Sequence, residues 1–192
     1  MLKKLGLFAI LTSSLFAMHS AELNINDADL ELSTRFDVGQ FNENVEPDTT
    51  FVGLKFLNAD SKNSSNKFFA IEPYYEANFL TSRAVEGSGL RVGMGIKVNY
   101  TKKYTAVPLG LEVQYTLFKK TVPMYLNASA YYAPASLSFA DADSFLEYRV
   151  SYDIEIIKNG HISLGYRNID TNYNGYTFTY NRSWYSGFRF SF

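Results

Sequence analysis

The sequence contains no cysteine. Disulfides and thiolate metal centres are therefore excluded, and the fold must be held by other means. Long apolar runs are also missing, because past the first residues no stretch approaches the roughly 18 apolar residues of a membrane-crossing helix. There is no excess of positive charge. Eighteen Lys and Arg face 19 Asp and Glu in 192 residues, a balance that gives no reason to expect a nucleic-acid partner. No phosphate-binding loop, dinucleotide fingerprint or zinc cluster occurs, and no cofactor is expected.

What the chain has in abundance is aromatic residues, 17% of the total with 15 Tyr and 16 Phe. At the N-terminus Lys3 and Lys4 precede the mostly apolar run Leu5 to Leu11, and Thr12 to Ala17 follow before polarity rises. This is the three-part pattern of a secretory signal peptide, too short to span a bilayer as a helix. Residues 1–21 are read as the signal, with cleavage between Ala17 and Ala21, and residues 22–192 as one mature domain. Loss of the two lysines leaves 16 basic residues against 19 acidic ones, a mature net charge of about −3.

The mature region is written with period two, the period of a strand whose faces meet different surroundings. Leu90, Val92, Met94, Ile96, Val98 and Tyr100 alternate with Arg91, Gly93, Gly95, Lys97 and Asn99. The same pattern runs through Asp29 to Phe41, Phe51 to Leu57, Phe69 to Phe79, Val107 to Leu117, Leu126 to Tyr132, Leu146 to Ile156 and Ile162 to Tyr166. It returns in the final stretch, where Trp184, Ser186, Phe188, Phe190 and Phe192 oppose Tyr185, Gly187, Arg189 and Ser191. Segments of about ten residues suit tilted membrane strands, and in lipid such strands survive only in a closed barrel. The fold expected is therefore all-β, an antiparallel transmembrane β-barrel. A soluble sandwich or lipocalin-like barrel remains the alternative, since alternation alone does not say which face is inward.

Nine segments are visible, while single-chain bacterial barrels have an even number of strands. Eight strands are favoured, and ten follow if Leu23 to Asp29 hides a short extra one. A C-terminus on the periplasmic side puts the short Lys158-Asn159-Gly160 turn there and the connections 134–144 and 172–182 outside. In this register Glu72, Glu76, Arg91, Lys97, Glu112, Glu147, Arg149, Asp153, Glu155, Arg167 and Arg189 line the lumen, where opposite charges can pair. An eight-stranded interior is filled by such side chains.

Several blocks of the sequence resemble YfaZ-type outer membrane proteins of Gram-negative bacteria. They are Tyr131-Tyr132-Ala133-Pro134 before Leu137-Ser138-Phe139, Glu147-Tyr148, Leu164-Gly165-Tyr166-Arg167, and the ending Tyr185 to Phe192. The resemblance implies a small outer membrane barrel surrounded by outer membrane lipids. It also implies a C-terminal aromatic signal, here Phe190 and Phe192, read by the barrel-assembly machinery. No biochemical activity and no oligomeric state come with it.

One pair suggests catalysis. His161 and Ser163 share a strand face, so the imidazole could activate the hydroxyl for acyl transfer. The pair resembles the His-x-Ser of outer membrane lipid A deacylases, which face lipid, whereas here Ile162 and Leu164 claim the lipid side. An ordinary lumen histidine is expected instead. Asp141 and Asp143 with Glu147, or Glu43, Glu46 and Asp48, offer hard oxygen ligands but lack EF-hand spacing, and are read as solvated acidic loops rather than metal sites. The function expected is a structural or surface-presenting barrel without enzymatic activity. A narrow diffusion channel for small solutes is the first alternative, and a lipid-modifying envelope enzyme the second.

Overall fold

A computed structural model describes residues 19–65, 71–118, 122–173 and 175–192. In chain order its strands are β1 (Ser20–Ile25), β2 (Leu30–Asp37), β3 (Thr50–Asn58), β4 (Tyr74–Val85), β5 (Leu90–Tyr100) and β6 (Tyr104–Ala106). They continue as β7 (Leu109–Phe118), β8 (Met124–Ala133), β9 (Ser138–Ala140), β10 (Ser144–Ile157), β11 (Gly160–Tyr173) and β12 (Tyr176–Ser191). Ten of these are staves, each antiparallel to the next in the order β1-β2-β3-β4-β5-β7-β8-β10-β11-β12. The ring closes when β12 pairs with β1, Phe188 opposite Leu23 and Ser191 opposite Ser20. Closure gives every stave a neighbour on both sides, which a barrel in hydrocarbon requires.

The strand count is ten, not the favoured eight. The additional stave is β1, where Ala21, Leu23 and Ile25 point out and Glu22 and Asn24 point in. Its six residues are too few for a clear alternation to stand out in the sequence. Other boundaries also move. The segment read as Phe69 to Phe79 runs on to Val85 as β4, so that only residues 86–89 separate it from β5. Ile71, Glu72 and Pro73 precede β4 rather than belong to it, while Phe69 and Ala70 lie outside the described residues. Most of the connection read over 172–182 is strand, so β11 and β12 form a hairpin that outruns β1 and is accompanied by β10 as far as Asn172. The short pair β6–β9 belongs to no stave; it lies against the end of β5, with Thr105 opposite Tyr100.

Burial settles which face is inside. Glu147 and Arg167 are 0% exposed, whereas Met94 and Leu54 are 64% and 61% exposed. A soluble barrel would show the reverse, so the lipocalin-like alternative falls and lipid is the surrounding solvent. The outward apolar face carries an aromatic belt towards the end opposite the termini. Phe56, Tyr75 and Tyr100 follow one another across β3, β4 and β5, at 5.4 Å and 6.5 Å between rings. Tyr148, Tyr166 and Trp184 do so across β10, β11 and β12, at 6.2 Å and 5.3 Å. Rings with an apolar body and a polar handle collect at the membrane–water boundary, so the belt marks one interface.

Candidate functional site in the lumen

Three levels fill the interior. Farthest from the termini lies an apolar closure. Leu57, Tyr74, Phe145 and Ile169 are fully buried there, packed with Tyr104 and Ala106 of β6 and with Ala59 and Ala142 from the connections. Tyr74 meets Tyr180 at 5.6 Å and Tyr104 meets Phe145 at 5.9 Å. The Tyr180 hydroxyl donates to the carbonyl of Glu72, fixing the segment before β4 over this end.

Below it is a belt of buried charge. Arg149 donates from both terminal nitrogens to Glu31, at 2.6 Å and 2.7 Å. Arg167 divides its guanidinium among Glu31 (3.2 Å), Asp29 (3.1 Å) and the Asn181 amide oxygen (2.7 Å). Lys55 reaches Glu76 at 2.8 Å and Glu147 at 3.3 Å, and Lys97 reaches the same two at 3.3 Å and 2.7 Å. Charges removed from bulk water persist only when paired and hydrogen-bonded, and here each has at least two partners.

Glycines shape the wall around this belt. A Cβ on Gly110 would collide with the Ala130 carbonyl and the Tyr131 ring, and one on Gly95 with the Tyr131 hydroxyl. Tyr131 thus lies flat over the two glycines, its hydroxyl donating to Glu112 at 2.8 Å and the Lys97 ammonium 3.9 Å from its ring centroid. Gly165 accommodates the Tyr185 ring in the same way, and Arg149 and Arg167 each sit 5.5 Å from that ring. Two rings pressed to the wall leave the axis to the cations, which the ring faces attract.

The third level is open. From the belt to the termini runs a cavity of about 690 Å³, lined by charges of both signs. Its walls carry the pairs Arg35–Glu112 at 3.2 Å and Arg189–Asp153 at 2.8 Å. Asn127 adds a 2.9 Å bond to Asp153. The connection 38–49 folds over the mouth. Asp37 accepts from the amides of Gly39 and Asp48, and Arg91 bonds both the carbonyl and the carboxylate of Asp48.

Of the lumen residues expected from sequence, Glu76, Lys97, Glu147, Arg149 and Arg167 stand in the belt and Arg91, Glu112, Asp153 and Arg189 in the cavity wall. Glu72 sits at the far rim beside Lys102 (3.3 Å), and Glu155 at the near rim, accepting from the Asn159 amide at 3.2 Å. The alternation also held Glu31, Arg35 and Lys55, which that set left out. Asp29, read as the start of the first strand segment, lies in the turn before β2. Phe190 pairs with Ala21 and Gly160, and Phe192 exchanges backbone hydrogen bonds with His19 at 2.8 Å and 3.1 Å.

His161 and Ser163 both line the lumen, yet they do not bond to each other, and neither His161 Nδ1 nor Ser163 Oγ has a hydrogen-bond partner. Asp153, across the ladder from Ser163, is taken by Arg189, Asn127 and Ser151. The pair is thus not assembled as nucleophile and base. The acidic sets are engaged as well: Glu147 by the belt lysines, Asp48 by Arg91 and Glu46 by Arg83. Among the described residues no group of three His, Asp or Glu is placed to hold a metal ion.

Residues 89–192, more than half of the chain, match the sequence model of a family described as "YfaZ precursor". No curated protein matches the chain. Among solved structures, a KdgM porin aligns with a TM-score of 0.44 at 8% identity, over 91% of this chain and 98% of that one. The outer membrane channel DcaP of Acinetobacter baumannii aligns with a TM-score of 0.42 at 8% identity, over 89% of this chain and 54% of that one.

Proposed function

This chain belongs to the YfaZ family of outer membrane β-barrels, and on that footing we propose that its lumen is a narrow diffusion path for small polar solutes, held shut at one end in its resting state. The observation that carries this reading is the cavity of about 690 Å³. A filled barrel has no need of it, and its size lies within the roughly 300 to 1,000 Å³ typical of small-molecule sites. The turns 86–89 and 158–159, His19 and Phe192 lie at its mouth, and the segments 59–65, 71–73 and 134–143 at the other end. Apart from the connection 38–49 the shorter turns are on the mouth side, which supports reading the mouth as periplasmic and the apolar closure as external. Walls of paired charge keep the path wetted and favour small, strongly hydrated solutes over apolar ones.

The closure itself favours a second reading, a structural barrel that conducts nothing and presents its external connections. Purified protein in planar bilayers separates the two. We expect rare, small stepwise openings from the natural chain. Tyr104→Ala, which removes a ring from the closure without touching a stave, is expected to raise open time severalfold. Absence of steps from both proteins, each shown to be folded by heat-modifiable migration, would establish the structural reading.

A further inference from the structure

Outside the barrel, where β10, β11 and β12 pass the aromatic belt, three polar residues stand on the lipid-facing side. Arg182 lies directly across the ladder from Asn168, and two residues from Trp184 on the same face. Its Nε donates to the Asn168 amide oxygen at 2.6 Å, and the Asn168 amide nitrogen donates to Asp170 at 2.5 Å. Asn168 is 0% exposed although it points outward. Tyr148 and Arg182 are its two cross-strand neighbours and cover it. The amide thus acts as a buried bracket that fixes a guanidinium whose side chain remains 55% exposed, with the Asp170 carboxylate only within 3.8 Å. Immediately below it are Tyr148, Tyr166 and Trp184, the last 65% exposed. Nothing in the barrel lumen uses this group.

We infer that this outward patch binds a phosphate-bearing glycolipid headgroup of the outer leaflet, with Arg182 as the phosphate ligand and the three rings against the lipid body. The argument is charge complementarity at a fixed depth. A guanidinium presents a planar fork suited to phosphate; with Nε given to Asn168 and Nη2 3.8 Å from the Asp170 carboxylate, Nη1 has no hydrogen-bond partner among the described residues. The height of the aromatic belt is the height of the headgroups, so a phosphate there meets Arg182 without displacing it. The source is a lipid rather than a free anion, because the rings beneath the cation supply an apolar surface that an inorganic ion cannot use.

Trp184 is the single tryptophan of the chain, so its fluorescence reports on this patch alone. The mature barrel, held in zwitterionic detergent micelles, is titrated with bisphosphorylated lipid A or with the same lipid after its phosphates are removed. A saturable spectral shift is expected with the phosphorylated lipid, at least tenfold weaker with the dephosphorylated one. Arg182→Gln is expected to weaken the response about tenfold, and Arg182→Lys less, since the charge survives while the fork is lost. Equal responses to the two lipids, or an unchanged titration in folded Arg182→Gln, would overturn the inference. So would an equal shift from inorganic phosphate, which would make the patch a free-anion site. Should Arg182→Gln fail to fold, the comparison of the two lipids on the natural chain decides.

Discussion

Phe188 and Arg189 are neighbours in β12 whose side chains leave the sheet on opposite faces. Phe188, between Leu23 and Ile162 on the flanking staves, faces lipid, and Arg189 faces the cavity with Asp153 2.8 Å away. Phe188→Arg places a charge in hydrocarbon at a cost of about 2 to 4 kcal/mol near the midplane, less towards an interface. Arg189→Gln is expected to be milder, because Asp153 keeps Asn127 and Ser151 as donors in a wetted cavity. Urea titration of heat-modifiable migration in isolated outer membranes ranks the two, and the opposite order would mean that the faces are exchanged. At this scale alternation told polar from apolar positions well. It was silent about what the polar face surrounds, and about Tyr131 and Tyr185, whose rings only the facing glycines explain.

Between β1 and β2 the turn residue Asp29 ties several elements together. It takes Arg167 of β11, Asn181 of β12, Asn26 of its own turn, and Asn63 and the Asp60 amide from the connection after β3. Burial pushes the Asp29 carboxyl up, but those hydrogen bonds outweigh it and hold the group below its ordinary value. A depressed carboxylate stabilises the fold above its unfolded pKa, near 4, and that contribution fades as pH falls through the folded value. Asp29→Asn is therefore expected to cost roughly 1 to 3 kcal/mol at neutral pH, the penalty of an unsatisfied buried partner. Protease cutting within residues 59–65 measures it. The gap between natural and variant protein should be constant from pH 7 to about 4 and shrink below that; a gap that widens on acidification would contradict the assignment. The period-two reading put Asp29 at the head of a strand, on its polar side, but could not show the partners that the folded turn brings to it.

For the whole molecule, closure depends on His19 and β1. His19 pairs with Phe192, and its imidazole lies parallel to Phe41 at 5.2 Å while Nδ1 accepts from the Asp37 amide at 3.1 Å. Cleavage after Ala21, the outer limit read from sequence, would strip Ser20 and Ala21 from β1 and remove this contact. We therefore expect the mature chain to begin at or before His19, and intact-mass measurement of protein from outer membranes decides it. A mature mass starting at Glu22 would mean that the barrel closes with a shorter seam.

The sequence by itself determined the class of fold, because the two faces of a strand record the two solvents it must meet, and its period and its aromatic strands carried the membrane setting. It did not determine strand number. That depends on whether the six residues of β1 find a partner in β12, a contact across most of the chain. The dead-ended interior was likewise decided only in three dimensions. The belt joins Lys55, Lys97, Glu147 and Arg167, far apart in sequence, and whether such charges fill a cross-section or line a passage depends on how many staves surround them. Local patterning fixes which way a side chain points, but only the closed ring fixes what it meets there.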